Sequence, residues 1–305
     1  MIAGSNLERV INSGNFAVTG ELGPPKGADL EQLKHHAEEM RNHVDACNIT
    51  DNQTAIVRTS SIACGATLMQ MGIEPVVQAT VRDRNRICLQ SDVLGAHALG
   101  IKNILCLAGD HQQFGNEPGS KGVYDIDSIQ LIKGLKDMRD DGVFMGGDEL
   151  EDSVSYYLGA VENPFADPFE YRVDRLEKKV NAGASFIQTQ CIFDMERFKE
   201  WMKLVRDRGL HKKIAILGGV TPIKSLGAAR YMKNYVSGIT IPDHVIDRIK
   251  GAEKKKEEGL KFAVETIQEL QEIEGVAGVH VMAIAWEEKV PEIVERAGLY
   301  PRPSV

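Results

Sequence analysis

Cysteine is scarce in this chain of 305 residues, and no two of its five cysteines form a C-x-x-C pair. Cys47, Cys106 and Cys191 fall inside apolar runs, where cysteine behaves as a small hydrophobic residue. The odd number and the wide spacing predict reduced thiols. They also argue against a zinc or iron–sulfur centre held by this chain alone.

An excess of positive charge and long apolar runs are also missing. The chain has 36 Lys and Arg against 44 Asp and Glu, a net charge of −8. Nucleic-acid binding requires concentrated Lys and Arg, and anionic membranes attract basic surfaces, so neither partner is expected. No window approaches the ~18 apolar residues of a transmembrane helix, and the first residues lack a signal-peptide pattern. We therefore expect a soluble, cytoplasmic protein.

What the chain contains is a regular alternation of short apolar runs with longer amphipathic stretches. The apolar runs are nearly continuous in hydrophobicity, as is typical of parallel strands that are buried on both faces. The eight predicted strands are residues 16–22, 44–50, 74–81, 103–109, 155–161, 185–192, 213–220 and 278–284. The clearest predicted helices are residues 29–43, 90–100, 168–183, 195–209 and 253–274.

Eight βα repeats with short connections predict an α/β fold, a single (β/α)₈ TIM barrel that spans residues 1–305 as one domain. No G-x-G-x-x-G follows the first strand, which disfavours a Rossmann nucleotide site. The polar, glycine-containing residues 137–154 are interpreted as a loop insertion, because a barrel cannot be divided there without losing its closure.

In such barrels the active site lies at the carboxyl ends of the strands. Glu21 ends the first strand before a Pro-Pro turn, where a carboxylate can act as a general acid. Asp110 follows a glycine that lets the backbone approach a ligand, and Gln190 offers neutral donors and acceptors to an amide-rich heterocycle. Each of these residues has a structural alternative. Glu21 can be a solvated loop carboxylate, Asp110 a helix cap, and Gln190 a core amide whose hydrogen bonds are satisfied within the protein. No Ser–His–Asp triad or zinc spacing is present.

An ordered series of motifs falls at the predicted strand ends. It comprises E-L-G-P-P (21–25), N-I-T-D-N (48–52), L-A-G-D (107–110), V-E-N-P (161–164), V-N-A-G-A-S-F-I-Q-T-Q-C-I-F-D (180–194) and G-G-V-T-P (218–222). In order and content the series resembles the methylenetetrahydrofolate reductase family, over residues 16 to 300. The segment 181–194 is the most specific part of the match.

The resemblance implies a barrel that holds a flavin, usually FAD, at its mouth. It further implies hydride transfer to 5,10-methylenetetrahydrofolate to give 5-methyltetrahydrofolate, with Glu21 as general acid and Asp110 near the flavin and pterin. The cofactor-binding positions that it implies are Thr50, Gln78, Asp110, Tyr124, Asp125, Val161 and Lys179, with Lys179 at the flavin phosphates. The substrate-binding positions are Glu21, Gln190 and Leu226.

Four positions depart from the family pattern. Leu226 stands where a phenylalanine that stacks on nicotinamide and pterin is frequent, and Trp286 stands where an arginine is common. Ala108 replaces a frequent arginine, and Gln78 replaces a histidine near the flavin. These changes make FMN an alternative to FAD. They resemble the anaerobic, acetogen-type branch, in which the reductase subunit is coupled to a small zinc- and iron–sulfur-containing partner. The expected electron donor is either NAD(P)H or this partner subunit, and a homo- or hetero-oligomer is expected.

Other functions remain as alternatives. A barrel lyase or aldolase would require a Schiff-base lysine or metal ligands at strand ends, and neither is found. A flavin-independent methylenetetrahydrofolate reductase would accommodate the substitutions on the flavin side. A non-catalytic folate- or flavin-binding subunit of a larger complex is the third alternative, against which Glu21, Asp110 and Gln190 argue.

Overall fold

The computed structural model describes residues 1–305, in which eight parallel strands pair in chain order and the last strand pairs with the first to close a barrel. The predicted (β/α)₈ barrel is therefore confirmed. The strands are β1 (Ala17–Leu22), β2 (Ala46–Ile49), β3 (Pro75–Thr80), β4 (Asn103–Leu107), β5 (Tyr157–Glu162), β6 (Phe186–Cys191), β7 (Ala215–Val220) and β8 (Val276–Val281).

The helices surround the strands, except that the first of them lies across one end of the barrel. They are α1 (Asn6–Asn12), α2 (Glu31–Met40), α3 (Ser61–Gln70), α4 (Arg86–Ala98), α5 (Ser128–Asp140), α6 (Glu170–Ala182), α7 (Met195–Asp207), α8 (Leu226–Tyr235), α9 (Asp243–Gly251), α10 (Lys255–Gln271) and α11 (Val290–Arg296). None of them is both long and apolar enough to cross a membrane.

The predicted boundaries were wrong by a few residues in several places. α4 begins at Arg86 rather than at residue 90, because the Asn85 side chain accepts a hydrogen bond from the Cys88 N–H and caps the helix. β8 ends at Val281 rather than at residue 284, and its last pairs are with Gly20 of β1 and Val220 of β7.

The segment 137–154 is partly helical. Its first four residues belong to α5, and an antiparallel bridge between Val143 and Glu149 closes a turn in the remainder before β5 begins. The prediction of a loop across all of 137–154 was therefore wrong for residues 137–140. That the remainder is an insertion into a single domain stays a prediction.

The amino-terminal helix α1 closes one end of the barrel. Leu7 and Val10 are fully buried in a cluster with inward-facing strand residues, including Ala17 and Phe186. The Glu74 carboxylate accepts the backbone N–H groups of Asn6 and Leu7 at 2.6 and 2.9 Å and fixes the start of this helix. The amino-terminal end of the barrel is thus filled, and the carboxyl-terminal end is left to form a site.

Candidate active site at the barrel mouth

A cavity of about 380 Å³ lies at the carboxyl ends of the strands. Its volume falls in the range of small-molecule sites in proteins. Six of the predicted site residues line it together, namely Glu21, Thr50, Gln78, Val161, Lys179 and Gln190. They come from β1, β3, β5 and β6, from the residue after β2, and from α6, so only the closed barrel brings them to one place.

Asp110 does not line this cavity. Its side chain is exposed, and Oδ2 accepts a hydrogen bond of 3.1 Å from the backbone N–H of Thr54. Thr54 has a φ of 58°, a left-handed conformation that is costly for a β-branched residue. Asp110 therefore holds a strained turn beside the mouth in this structure.

The other three predicted residues also lie outside the cavity lining. Asp125 pairs with Arg86 at 2.7 Å, and hydrogen bonds from Arg86 lower the pKa of the Asp125 carboxyl. Tyr124, before it, has a φ of 41° and is 43% exposed. Leu226 begins α8 and packs against a separate apolar cluster around Ile223 and Ile241.

Glu21 stands at the inner edge of the mouth. Its side chain is only 11% exposed, and Oε2 lies 3.5 Å from Nε2 of the buried His280 on β8. Glu21 also lines a second cavity of about 250 Å³, formed with Pro24, Pro25 and Arg58. The carboxylate is thus placed between two adjoining spaces and can reach a ligand in either.

A series of hydrogen-bonded, buried polar side chains lies inside the barrel next to Glu21. Thr19 lies opposite His280 in the β1–β8 pair, and its Oγ1 is 2.9 Å from His280 Nδ1. The Gln188 amide donates to Thr19 Oγ1 at 3.2 Å and exchanges two hydrogen bonds with Asn48. All four residues are at most 3% exposed, so the barrel interior carries a closed hydrogen-bond network rather than a purely apolar core.

The distances in this network favour one tautomer of His280. Thr19 Oγ1 accepts the Gln188 amide hydrogen, and its own hydrogen has His280 Nδ1 at 2.9 Å as the nearer acceptor, against 3.4 Å for the Val279 carbonyl. With Nδ1 accepting, Nε2 carries the hydrogen and lies 3.5 Å from Glu21 Oε2, which is longer than a formed hydrogen bond. The imidazole is therefore placed beside the carboxyl group.

Thr50 leaves an unsatisfied polar atom at the mouth. Thr50 is 1% exposed, yet its Oγ1 has no hydrogen-bond partner in the protein. A buried hydroxyl without a partner is costly unless a ligand or water completes it. Val161 lies in the same cavity and is 38% exposed, although it belongs to a barrel strand. An apolar surface and an unpartnered hydroxyl fit a planar heterocycle that has polar edges.

Lys179 is held by an adjacent acid. Its Nζ lies 2.5 Å from Glu162 Oε2 and 2.5 Å from the Val161 carbonyl oxygen, and both charged side chains are at most 5% exposed. Burial lowers the pKa of Lys179, the Glu162 carboxylate opposes that change, and Arg175 and Arg172 add to the lowering. The Lys179–Glu162 pair joins α6 to the end of β5.

Gln190 faces the cavity from the end of β6. Its Oε1 accepts the backbone N–H of Cys191 at 2.9 Å, which turns the amide NH₂ group toward the mouth. Asn163 crosses the rim nearby and donates to the Gly238 carbonyl oxygen at 3.0 Å, tying the β5 end to the loop between α8 and α9. Gln190 thus presents an oriented donor to any ligand in the cavity.

Sequence reasoning missed several residues of the site. His280, Thr19, Gln188 and Asn48 lie within strands, whereas only strand ends were searched. The available signal was polar residues at inward positions of otherwise apolar runs, such as the histidine in G-V-H-V-M. Arg172 and Arg175 were missed because they belong to α6, which follows the loop rather than the strand. No group of three or more His, Cys, Asp or Glu side chains is placed to hold a metal ion.

The closed barrel with a polar cavity at its carboxyl-terminal face defines an enzyme-like TIM-barrel protein. The family model described as "Methylenetetrahydrofolate reductase" matches residues 6–298. The chain therefore belongs to the methylenetetrahydrofolate reductase family.

Relatives support this assignment at low identity. Methylenetetrahydrofolate reductase 1 of Schizosaccharomyces pombe is 29% identical over 210 residues, 67% of this chain and 32% of the relative. The 5,10-methylenetetrahydrofolate reductase of Salmonella typhimurium is 23% identical over 296 residues, 94% of this chain and 93% of the relative. The chain spans 32% to 46% of the length of several eukaryotic relatives, and more than nine-tenths of the bacterial one.

The fold also matches solved structures. A Clostridium thermocellum protein that binds two copies of 5-methyl-5,6,7,8-tetrahydrofolic acid superimposes with a TM-score of 0.65 at 15% identity, over 96% of this chain and 98% of the other. An EDTA monooxygenase from Chelativorans superimposes with a TM-score of 0.56 at 12% identity, over 94% of this chain and 95% of the other. These likenesses concern the barrel fold.

Proposed function

We propose that this chain is a flavin-dependent 5,10-methylenetetrahydrofolate reductase, which forms 5-methyltetrahydrofolate at the mouth of the barrel. The observation that carries the proposal is the convergence of Glu21, Thr50 and Gln190 on one cavity in a chain of this family. The folate ligand of the Clostridium thermocellum barrel is in keeping with the same substrate class.

The cavity fits a flavin. The unpartnered Thr50 hydroxyl suits a polar edge of the ring, the exposed Val161 side chain suits its apolar face, and cations on α6 suit its phosphate. A flavin bound here would supply the hydride that reduces the methylene carbon. FAD is the usual flavin of the family and FMN is the alternative that the departures at Gln78 and Ala108 raise.

Glu21 is the proposed proton donor. The carboxyl group is nearly buried and faces the cavity, and the His280 ring, which contacts Thr19, lies 3.5 Å from it. Proton transfer to the folate nitrogen opens the five-membered ring and makes the methylene carbon electrophilic. The buried network keeps bulk water from the back of the carboxyl group.

Gln190 is the proposed pterin contact. Its amide NH₂ group is directed to the cavity by the bond between its oxygen and the Cys191 N–H. A neutral amide can donate to a pterin carbonyl or ring nitrogen without adding charge beside the reacting carbon. Asp110, which lies outside the cavity lining here, would act on the flavin and pterin only after release from the Thr54 N–H.

The electron donor is proposed to be a partner subunit that carries iron–sulfur centres, as in the acetogen-type branch. Leu226 supports this because it is partly buried in the α8–α9 cluster and gives the cavity no stacking aromatic ring for nicotinamide. Isolation of the native complex tests it: copurification of such a subunit is expected. A chain that copurifies with nothing and oxidises NADH rapidly by itself contradicts it.

The reaction is tested by product identification. The flavin-loaded chain, reduced with excess dithionite that is then removed, is mixed anaerobically with 5,10-methylenetetrahydrofolate. We expect one equivalent of 5-methyltetrahydrofolate per equivalent of reduced flavin. Recovery of unchanged folate from a protein that retains reduced flavin would contradict the proposed reaction.

A further inference from the structure

Each turnover of the proposed reaction removes one proton from Glu21. The methylene carbon gains a hydride, which the bound flavin supplies, and the folate nitrogen gains the Glu21 proton as its bond to that carbon breaks. Glu21 is left as a carboxylate and must take up a proton from solvent before it can act again. A ligand in the cavity of about 380 Å³ covers Glu21 from that cavity, so the proton has to return by another way while the mouth is occupied.

The second cavity, of about 250 Å³, also borders Glu21. Glu21 and Gln53 line both cavities, so the two spaces meet at these side chains. Arg58 lines the second cavity and not the first. Its Nη1 donates to the Pro24 carbonyl oxygen at 2.7 Å, whereas its buried Nε has no hydrogen-bond partner in the protein. Ordered water satisfies buried donors of this kind, and one water takes about 30 Å³, so the second cavity has the polarity and the room for several waters.

His36 of α2 brings an imidazole to the second cavity. Its side chain is 17% exposed, and the Glu39 carboxylate lies 3.1 Å from Nδ1, so Nδ1 carries a hydrogen that it donates to Glu39. The Gln32 amide nitrogen, which can only donate, lies 3.4 Å from Nε2. The neutral ring therefore keeps its basic lone pair at Nε2. Glu39 stabilises the imidazolium that forms when Nε2 takes a proton.

The charged groups around His36 have both signs. Glu39 and His35 lie on its own helix, and Glu39 Oε1 is 3.5 Å from His35 Nε2. Three charged groups from other elements line the same cavity, namely Glu21 on β1, Arg58 between β2 and α3, and Glu287 after β8. The His35 side chain is 70% exposed and does not line the cavity. The two histidines thus share one carboxylate, but only His36 borders the space that reaches Glu21.

We propose that the second cavity is the path by which Glu21 regains its proton, and that His36 passes the proton from solvent into this path. The imidazolium gives its Nε2 proton to water in the cavity, water gives a proton to the Glu21 carboxylate, and the neutral imidazole takes the next proton from solvent. No electrons move in this step, and each proton gained by the folate is replaced by one from solvent. His36 acts through Glu21 and does not contact the folate. The inference rests on the proposed reductase function.

The test separates the first turnover from later ones, in weakly buffered solution. The flavin-loaded, reduced chain is mixed with excess 5,10-methylenetetrahydrofolate, and a second series adds dithionite-reduced methyl viologen to sustain turnover. His36→Ala should keep the rate of the first turnover, because Glu21 starts with its proton. It should lower kcat by roughly tenfold or more, since proton-transfer groups typically contribute at least that much. Added imidazole should restore kcat by replacing the missing ring.

Three further variants serve as controls. His35→Ala removes the same kind of side chain beside the same carboxylate, and it should keep both rates. His36→Gln keeps a polar side chain on α2 but cannot carry a proton, so it should lose kcat as His36→Ala does. Glu21→Gln should lose the first turnover as well, which separates the group that protonates the folate from the group that resupplies it.

Several outcomes overturn the proposal. Unchanged kcat in His36→Ala and His36→Gln would contradict it, and so would a loss of kcat that imidazole does not restore. A higher KM for the folate with unchanged kcat would assign the second cavity to the substrate instead. Loss of the first turnover in His36→Ala would contradict a role confined to returning the proton. Absence of a first turnover in the unmodified chain would refute the proposed reductase function, and the proton path with it.

Discussion

Oε2 of Glu21 on β1 and Nε2 of His280 on β8 lie 3.5 Å apart, across the seam at which the barrel closes. The first and last strands thus each contribute one member of the pair. Since Thr19 lies opposite His280 in the same strand pair, closure of the barrel and the position of the imidazole beside the carboxyl group depend on the same register. An error of one residue in that register would turn His280 out of the barrel.

Glu21→Gln is predicted to abolish most folate reduction while leaving flavin bound. The amide keeps the shape of the side chain but cannot donate the proton, and loss of a general acid typically costs about 10²–10⁴-fold in rate. Single-turnover oxidation of the reduced protein by methylenetetrahydrofolate measures this loss. Glu31→Gln, at an exposed position of α2, is the control and should be unchanged. Near-normal turnover of Glu21→Gln would remove this residue from its role.

Thr19→Val is predicted to lower kcat for folate reduction with little change in KM. Valine has the shape of threonine but leaves His280 Nδ1 and the Gln188 amide without their shared partner. The free energy of unfolding should fall by about 1–3 kcal/mol, measured by urea denaturation. Thr19→Ser keeps the hydroxyl group and should restore kcat. If both variants lose kcat equally, the Thr19 hydroxyl does not act through His280.

Gln190→Ala is predicted to weaken folate binding more than it slows the chemical step. The alanine removes the amide that points into the cavity and leaves the Cys191 N–H without its acceptor, so a modest loss of stability accompanies the loss of affinity. Titration of the oxidised protein with 5-methyltetrahydrofolate, followed by the flavin spectrum, gives the affinity directly. Gln32→Ala, on α2 beside the second cavity, is a comparison for effects on the rim. Unchanged folate affinity in Gln190→Ala would refute the pterin contact.

One cysteine is predicted to react with a thiol reagent in the native protein at neutral pH, and five after unfolding. Cys88 is the exposed thiol. Burial excludes reagent from the other four, and it raises the pKa of Cys64 to about 11 and those of Cys47, Cys106 and Cys191 to about 12. Titration with a chromogenic disulfide, with and without denaturant, counts them. Rapid reaction of more than one thiol in the folded state would contradict this packing.

The barrel could be predicted from the sequence because its signals are local and repeated. Eight apolar runs that alternate with amphipathic stretches are compatible with few folds. Parallel strands that are buried on both faces appear in the sequence as continuous apolar segments. The ends of helices and strands were harder to predict, since individual hydrogen bonds of side chains such as Asn85 determine them. Helix α1 escaped prediction because it is short, and because its start is fixed by Glu74, which is 68 residues from Asn6 and 67 from Leu7 in the chain.

The candidate site was predictable in part, for a related reason. Glu21, Thr50 and Gln190 stand at strand ends, where barrel topology alone brings side chains together. His280 and Gln188 were not found, because a polar residue within an apolar run shows its partners only when the strands are closed. Asp110 was expected at the cavity from the A-G-D motif. Its orientation depends on the turn at Thr54, which the local sequence does not predict.

The central claim, a flavin at the barrel mouth that passes reducing equivalents to a folate, is tested most directly by one measurement. The visible absorption spectrum of the purified or flavin-reconstituted chain is recorded oxidised, after anaerobic reduction, and after addition of 5,10-methylenetetrahydrofolate. The account predicts flavin bands that bleach on reduction and return on addition of the folate. A colourless protein that neither flavin reconstitutes, or bands that stay bleached with the folate present, would contradict it.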